Sequence, residues 1–513
     1  MLPTHRSSKY FLPILILISA ILGLLRFNSL QVGTSYDDAH YVILAESLSS
    51  GQGYQLINFP HPQNERAFPP GWPALLAPLT FIFPGNYTVL KLLTLSLWLA
   101  TLPLIYNHFS KRVESPYREI LIGLIAINPL LVGISVTVMS ESAYLFFSLI
   151  VLTLFDSWHN KTEGPNYWLI ILIAASALYA QLIRTVGISI FIALLIYFLY
   201  TRRFREAGIT LGIFALGTLF QAWLNLRNGG SVVSTGYELQ VFNSSVIEKI
   251  GQMGSNLLEY SNEVLAGSLV PVFGQKITSL VGSAIPSLAN TIIILLLIFG
   301  LMLSLKKFSL MDIYLVIYFL AVLAYWNPRV GSVKARYLIP IIPFLYLYLI
   351  QGIKWGINNL TKNNLTYNTR IVAALTGIIV LFSLARNLQD WRSPVRNQMT
   401  DLSIGAAWVS QNSSSDAIVM VNEPVPAYIH VQRKTTAYPG DGQNIEKYLN
   451  NQGIDYIIIS PKLQSPRTTK LDEYTKTQLL PFLEANPDEF LVVYSNSEYN
   501  VTVYKYEGSP SGG

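Results

Sequence analysis

Two adjacent carboxylates, Asp37 and Asp38, follow the first long apolar run of the chain. A carboxylate costs about 2.5–3.5 kcal/mol or more at the centre of a bilayer, so an acidic pair at the end of an apolar segment is a candidate functional site. Such a group can take the proton of a hydroxyl nucleophile, which accelerates transfer by about 10²–10⁴-fold. The alternative is a helix first turn, where acids stabilise the dipole. One Asp would suffice for that role, so we expect Asp37 above all to be functional.

A third acid and several cations could complete such a site. Glu141 lies between two apolar runs with almost no loop, either as a second acid facing Asp37 or as a first-turn charge in a helix capped by Ser140. Arginine binds phosphate through paired hydrogen bonds, so it suits a leaving phosphate, although it could also anchor to lipid headgroups. We expect phosphate contacts first from Arg184 and Arg336, then from Lys334, and finally from Arg329.

The segment after the acidic pair leads into a rigid turn, residues 68–73 with the sequence Phe-Pro-Pro-Gly-Trp-Pro. Prolines and glycine in such a turn shape the loop rather than touch substrate. Glu65 and Arg66, just before it, could contact an acceptor, although pairing with one another is the simpler interpretation. The residues assigned to acceptor contacts or loop shape are Tyr41, His61, Glu65, Arg66 and Pro70.

A metal site is a weaker interpretation of the same segment. His40 and His61 stand near the acidic pair, but their spacing forms no known ligand set, and an isolated histidine is more often packed or solvated. We therefore assign no firm cofactor. The alternative is a divalent cation, Mg²⁺ or Mn²⁺, held by Asp38 and His40.

The composition is that of an integral membrane protein. Of its 513 residues, 51% are hydrophobic and 12% are charged, where a soluble protein has about 25% charged residues. The net charge of +6 comes mostly from short loops between apolar runs, which argues against a nucleic-acid partner. The chain contains no cysteine, which excludes disulfides, thiolate catalysis and iron–sulfur clusters.

Apolar runs of about 20 residues predict about eleven transmembrane helices. The basic loops fall on one side of this arrangement, which the positive-inside rule makes the cytoplasm. The loop at 28–87, the cations of the candidate site and everything after about 390 then lie outside. The predicted spans are about 11–28, 88–107, 119–138, 141–157, 167–183, 186–201, 207–225, 286–305, 310–326, 337–353 and 371–388.

Two domains are predicted. Residues 1–390 form a polytopic α-helical catalytic domain, and residues 391–513 form a small extracytoplasmic α/β domain with a flexible tail. Short β-rich runs, at 417–422, 456–460, 490–495 and 501–506, alternate with helical stretches in the second domain.

These motifs together resemble the GT-C membrane glycosyltransferases. The acidic pair after the first helix, the Pro-Pro-Gly-Trp-Pro turn, Met-Ser-Glu-Ser at 139–142 and Ala-Arg-Tyr at 335–337 carry the resemblance. Within that group, the sequence is most similar to bacterial relatives of the dolichyl-phosphate-mannose protein mannosyltransferases and of the lipid A aminoarabinose transferase. The resemblance covers residues 10–390.

The resemblance implies an inverting enzyme of the cell envelope, in a bacterial-type plasma membrane. Such an enzyme moves a sugar from a polyprenyl-phosphate donor to a lipid, glycan or protein acceptor on the outer face, and the acid matching Asp37 is its base. Asp38 departs from the family pattern, where many relatives have Glu. Two alternatives remain: a secondary transporter, which usually shows internal repeats and midplane charges, and a catalytically inert scaffold of the same fold.

Overall fold

The computed structural model describes residues 8–28, 31–65, 67–160, 166–227, 245–271, 284–306, 308–325, 335–360, 365–392, 400–440, 442–461 and 470–508. Up to residue 392 these residues are almost entirely helical. The helices are α1 (Ser8–Arg26), α2 (Asp37–Ser49), α3 (Gly71–Ile82), α4 (Tyr87–Ser110), α5 (Tyr117–Ala126), α6 (Pro129–Ile134), α7 (Glu141–His159), α8 (Tyr167–Ile183), α9 (Ile188–Tyr200), α10 (Phe204–Arg227), α11 (Val246–Glu259), α12 (Leu265–Leu269), α13 (Ala284–Leu305), α14 (Leu310–Tyr325), α15 (Ile342–Leu360) and α16 (Leu365–Arg392). Short 3₁₀ turns cover Thr185–Gly187 and Ala335–Ile341.

Within these described ranges, six helices are long and apolar enough to cross a membrane: α4, α7, α10, α13, α15 with its preceding 3₁₀ turn, and α16. Shorter apolar helices, among them α1, α8, α9 and α14, lie between them. A helix rises about 1.5 Å per residue, so about 20 residues match the hydrocarbon core. The protein is an integral membrane protein, and the number of its crossings stays a prediction.

The single span predicted at 119–138 is wrong, because the chain there forms two helices, α5 and α6. The first helix ends at Ala126, Asn128 caps the start of the second, and Pro129 cannot donate the backbone hydrogen bond that would continue the first. The Asn128 side-chain oxygen accepts the N–H of Leu130 at 3.0 Å. Its amide nitrogen donates to the carbonyl of Ser268 at 2.8 Å. These bonds satisfy the polar groups that a break inside the helical bundle would otherwise leave unpaired.

The described residues after 400 form a five-stranded sheet with helices on it. The strand order is β4 (Lys434–Thr436), β3 (Ile418–Val421), β5 (Tyr456–Ile459), β7 (Val501–Tyr506) and β6 (Phe490–Asn496), with parallel pairs around β3 and antiparallel pairs around β7. A separate two-stranded ribbon, β1 (Gln55–Leu56) and β2 (Gln63–Asn64), lies in the loop after α2. The remaining elements are α17 (Thr400–Asn412), β3 (Ile418–Val421), α18 (Pro424–Val431), β4 (Lys434–Thr436), α19 (Ile445–Gln452), β5 (Tyr456–Ile459), α20 (Leu480–Ala485), β6 (Phe490–Asn496) and β7 (Val501–Tyr506).

Both faces of this sheet are covered. Side chains alternate along a strand, so Ile458 packs into one apolar cluster, with Val409 of α17, while Ile457 packs into another, with Leu449 of α19. This is why every residue of β5 is buried and why its sequence is a continuous apolar run rather than an alternating one.

The sheet region packs on the loop that follows the acidic pair. The Thr435 N–H donates to the Asn58 carbonyl at 2.6 Å, and the Tyr428 hydroxyl donates to the Glu46 carboxylate at 3.0 Å. Burial raises the pKa of Glu46 to about 7, despite the hydrogen bonds from Tyr428 and Tyr87 that favour its charged form. Helix α2, which begins at Asp37, is therefore held from the side by the C-terminal region.

Candidate active site

Asp37 is the first residue of α2, and the backbone before it is constrained. Tyr36 has a positive φ of 63°, which is rare for a residue with a side chain, and the Asp37 N–H donates to the Ser35 carbonyl at 2.7 Å. The sharp entry turns the Asp37 side chain into a cavity rather than along the helix.

Arg336 lies against Asp37, although the two residues are 299 positions apart. It belongs to the 3₁₀ turn before α15, and its Nη2 lies 2.5 Å from Asp37 Oδ2. Their side chains are 28% and 19% exposed, so the pair is partly open to the cavity. The sequence predicted roles for both residues separately, and the fold brings them into contact.

Glu141, the first residue of α7, is completely buried and faces both arginines. Its Oε1 lies 2.6 Å from Arg184 Nη1 and 4.0 Å from Arg336 Nε. Neither Glu141 oxygen has an aligned hydrogen bond within the described residues. Glu141 is thus a buried counter-ion shared between two guanidinium groups, and its contact with Asp37 runs through Arg336.

The Ser140 hydroxyl joins this group instead of capping α7. The predicted capping role is wrong, because Ser140 makes no side-chain hydrogen bond to the first turn of that helix. It accepts a hydrogen bond from Arg184 Nη1 at 3.0 Å and lies 3.1 Å from the Tyr41 hydroxyl. Ser140 and Tyr41 therefore fix the direction of the Arg184 side chain.

The turn at residues 68–73 positions these elements against one another. Gly71 lies so close to the end of α8 that a Cβ would stand 2.6 Å from the Leu182 carbonyl carbon, so only glycine fits. The fully buried Trp72 donates from its indole nitrogen to the Val138 carbonyl at 3.0 Å. The turn thus contacts the segments that lead to Arg184 and Glu141, which agrees with a loop-shaping role for Pro70 and Gly71.

A cavity of about 280 Å³ opens beside the charged group. One part of its wall is charged, with Asp37, Arg184 and Arg336. The rest is apolar and aromatic, and it consists of Tyr41, Ala67, Phe68, Pro69, Ile183, Thr185, Val186, Ile188, Tyr318, Ala321, Val322, Ala324, Tyr325 and Tyr337. A wall of this kind suits a ligand with an anionic or polar end and an apolar remainder.

Asp38 lies outside this cavity. It is 1% exposed, and its two carboxylate oxygens accept the N–H groups of Gly33 at 2.9 Å and Ala39 at 3.0 Å. Burial raises the pKa of Asp38 to about 7. The side chain ties the loop after α1 to the start of α2, so the structure gives it a local structural contact rather than a place beside Asp37.

Three further sequence candidates, Glu65, His40 and His61, do not line the cavity. Glu65 accepts the N–H groups of Ala67 at 2.5 Å and Phe68 at 3.3 Å, so it shapes the turn. The His40 ring stacks on Phe68 with 4.7 Å between ring centroids, and His61 is exposed. The candidates that lie outside the described residues are Arg66, Arg329 and Lys334.

The donor set does not fit a divalent cation as it is arranged. Asp38 directs its oxygens to backbone N–H groups, and Asp37 is neutralised by a guanidinium. In the described part of the chain, no three side chains of His, Asp or Glu come together as ligands. We derive no step through a metal ion.

Sequence reasoning missed the aromatic wall. Tyr318 is fully buried, lines the cavity and donates its hydroxyl to the Tyr337 carbonyl at 2.9 Å, which fastens the turn that carries Arg336. Tyr314, Tyr318 and Tyr325 recur at roughly helical spacing on α14. That spacing, in a helix otherwise mostly of aliphatic residues, is the signal that could have indicated them.

The fold is that of the GT-C glycosyltransferases. The structure is similar to ArnT from Cupriavidus metallidurans bound to undecaprenyl phosphate, with a TM-score of 0.59 and 12% identity over 96% of this chain and 97% of that one. It is also similar to the archaeal oligosaccharyltransferase AglB from Archaeoglobus fulgidus in complex with an inhibitory peptide and a dolichol-phosphate, with a TM-score of 0.54 and 11% identity over 88% and 69% of the two chains. No sequence-family model and no curated protein sequence matches the chain. The resemblance inferred from the sequence motifs is thus confirmed at the level of the fold.

Proposed function

We propose that the protein is an inverting glycosyltransferase, which moves a sugar from a polyprenyl-phosphate donor to a hydroxyl-bearing acceptor. The observation that carries this proposal is the contact of Asp37 with Arg336 at the wall of a cavity that Arg184 also lines. A base and two phosphate-binding groups in one cavity are what the reaction requires.

In the proposed reaction the acceptor hydroxyl attacks the anomeric carbon, and the Asp37 carboxylate takes its proton. The bond between that carbon and the phosphate oxygen breaks on the opposite face, so the configuration inverts. The electron pair leaves with the polyprenyl phosphate. Arg184 and Arg336 meet the negative charge that develops on it, and bidentate guanidinium contacts suit that task.

The ion pair suggests how donor binding prepares the base. Arg336 pairs with the Asp37 carboxylate, so a guanidinium N–H occupies one of the oxygens that would accept the proton. A phosphate that takes over Arg336 would release Asp37 to accept a proton. Glu141 keeps both arginines in place during this exchange, because it remains a buried counter-ion at the α7 terminus.

We place this chemistry on the outer face of a bacterial-type plasma membrane, with the C-terminal domain on the same side. Two observations support the orientation. The sheet region contacts the loop at 28–87 through Asn58 and Glu46, and the basic loops are at the opposite end of the bundle, as at Arg112 and Lys354.

The two other candidate functions have less support. A transporter requires charged groups on broken helices near the membrane midplane, whereas Asp37 is the first residue of α2, directly after the loop that follows α1, and Glu141 is the first residue of α7. In an inert scaffold, nothing would require the partly exposed Asp37 carboxylate to pair with Arg336 at the wall of a cavity.

Transfer assays on purified protein test the proposal. A set of polyprenyl-phosphate sugars is supplied with envelope lipid, glycan and peptide acceptors, and transfer is followed by mass spectrometry. Asp37→Asn should lower turnover by about 10²-fold or more, because the amide cannot accept the proton, and should leave donor binding intact. Transfer by Asp37→Asn at the wild-type rate would remove Asp37 from the mechanism. If neither the wild-type protein nor the variant bound any polyprenyl-phosphate sugar, the proposed function would be wrong.

A further inference from the structure

A second cavity, of about 360 Å³, lies at the opposite end of the bundle from Asp37. Met311 and Asp312, at the start of α14, line it, while Tyr325, at the other end of the same helix, lines the candidate active site. Tyr318 of this helix also lines the candidate active site, so at about 1.5 Å per residue the two walls are about 9 Å apart along the helix, from Asp312 to Tyr318. The proposed glycosyl transfer makes no use of this second cavity.

The wall of the second cavity carries two cations with different environments. Arg112 forms a bidentate pair with Asp156, with both N–O distances at 2.8 Å. Lys354 lies with its Nζ 5.0 Å from the centre of the Tyr117 ring and, among the described residues, makes no ion pair with a carboxylate. The cavity therefore offers an uncompensated ammonium group next to a guanidinium.

The wall also carries one acid, Asp312, whose oxygens are held by hydroxyl donors. Asp312 is completely buried and already accepts hydrogen bonds from the hydroxyls of Ser304 at 2.7 Å and Ser309 at 2.6 Å. Gln351, also in the wall, has a buried side-chain oxygen without a hydrogen-bond partner within the described chain. A buried acceptor of that kind calls for a donor group on the ligand. The cavity thus suits a molecule with an anion and a hydroxyl.

An apolar surface leads directly to this cavity. On α13, which ends at its wall, the side chains of Leu288, Ile292, Leu295, Phe299 and Met302 are all exposed, and they form one stripe at helical spacing. The stripe ends where Phe299 stacks on Trp355, with 4.5 Å between ring centroids, and Trp355 lines the cavity. Tryptophan is the residue typical of the membrane–water interface.

We propose that this cavity binds the headgroup of an anionic phospholipid whose headgroup carries hydroxyls. The phosphate contacts Lys354, a headgroup hydroxyl donates to Gln351 Oε1, and an acyl chain lies along the α13 stripe. Basic pockets between transmembrane helices on the cytoplasmic side are suited to such lipids, because that leaflet is rich in anionic headgroups. The cavity is thus a regulatory or stabilising lipid site, separate from the site for the donor.

Titration of the purified full-length chain with short-chain phosphatidylglycerol, followed by native mass spectrometry, tests this proposal. We expect tighter binding of phosphatidylglycerol than of phosphatidylcholine. Lys354→Gln, at an exposed position, should weaken phosphatidylglycerol binding about tenfold, since it removes a charge-assisted contact. Arg202→Gln, which removes an exposed charge outside the cavity wall, is the matched control and should leave the affinity unchanged.

A second variant examines the hydroxyl contact. Gln351→Leu should weaken the binding of phosphatidylglycerol but not that of phosphatidic acid, which lacks a headgroup hydroxyl. Equal loss of affinity in Lys354→Gln and Arg202→Gln would reduce the effect to general surface charge and overturn the site. Glycerol 3-phosphate binding as tightly as the diacyl lipid would overturn the role of the stripe and identify a soluble phosphate ligand instead.

Discussion

Buried charges occupy both ends of the helical bundle, and the two groups are satisfied in different ways. At one end, Asp156 is held by both guanidinium nitrogens of Arg112 and by His108 Nδ1, each at 2.8 Å. At the other end, Glu141 is shared by Arg184 and Arg336 without an aligned hydrogen bond, and the Asp37–Arg336 pair stays partly exposed.

The difference separates charges that stabilise a fold from charges that await a ligand. A fully paired buried carboxylate has little capacity for a new partner, and removing it leaves its cations unpaired. The group around Asp37 keeps unused hydrogen-bonding capacity beside a cavity, which is the arrangement expected where a phosphate must bind and leave. The predictions below test this contrast.

The largest effect on stability is expected from the paired end. Asp156→Ala leaves Arg112 without its counter-ion and the buried His108 ring without its hydrogen-bond partner, so it should cost about 3–5 kcal/mol of unfolding free energy. Turnover per folded molecule should be unchanged. Chemical denaturation in detergent measures the unfolding free energy, and Asp416→Ala, at an exposed carboxylate, is the control. A stable but inactive Asp156→Ala protein would contradict this contrast, because it would give a role in activity to the charges that we assign to stability.

The cavity end should respond in ligand binding. Arg184→Ala and Arg336→Ala should weaken polyprenyl-phosphate binding of the folded protein by about tenfold or more, because each removes charge-assisted contacts to the phosphate. Arg184→Ala should also lower stability, since it takes the nearest cation from the completely buried Glu141. Lysine at either position should restore only part of the affinity, since it lacks the planar fork. Unchanged binding in both alanine variants would move the phosphate site elsewhere.

The adjacent acids provide an internal comparison. Asp38→Asn puts an amide donor against one of two backbone N–H groups, those of Gly33 and Ala39, and should cost about 1–3 kcal/mol of stability. Turnover of the folded variant should stay within a few-fold of wild type, unlike that of Asp37→Asn. Thermal unfolding and the transfer assay separate the two effects. An Asp38→Asn protein of normal stability and low turnover would place Asp38 in the reaction.

The smallest effect is a pH dependence of the contact between α2 and the C-terminal region. The pKa of Glu46 is about 7 when buried, against an ordinary value of 4.5, so the packed state binds the proton more tightly. The contact should therefore be strongest at low pH, weaken as the pH rises from about 4.5 to 7, and change little above that. The protection factors of the α18 amides in hydrogen exchange measure the strength of this contact.

Glu46→Gln should make the protection factors of α18, which are corrected for the intrinsic pH dependence of amide exchange, independent of pH over that interval. Tyr428→Phe, which removes the hydrogen bond but leaves Glu46 buried, is the control and should raise exchange at every pH while keeping the pH dependence. Wild-type protection factors in α18 that stay constant between pH 5 and 8 would contradict the assignment to Glu46.

Much of the fold followed from short-range pattern. Apolar runs indicated most helices, and the four β-rich runs each contain a strand of the C-terminal sheet. The break at Asn128 was not predicted, because a run of apolar residues predicts burial whether the helix is continuous or interrupted. Strand β4 (Lys434–Thr436) was also missed, since three residues carry too little pattern.

The sequence by itself determined the inventory of the site: an acid after the first helix, an acid at the start of α7, two arginines in unusual positions and a glycine turn. Tertiary structure alone decided their pairing. The contact of Asp37 with Arg336 spans 299 positions, and nothing local encodes which cation meets which acid. Adjacent Asp37 and Asp38 have the same chemistry, but the positive φ of Tyr36 and the N–H groups of Gly33 and Ala39 send one carboxylate to the cavity and the other to the backbone. Ion pairs between distant segments depend on packing geometry, which residue type and spacing do not specify.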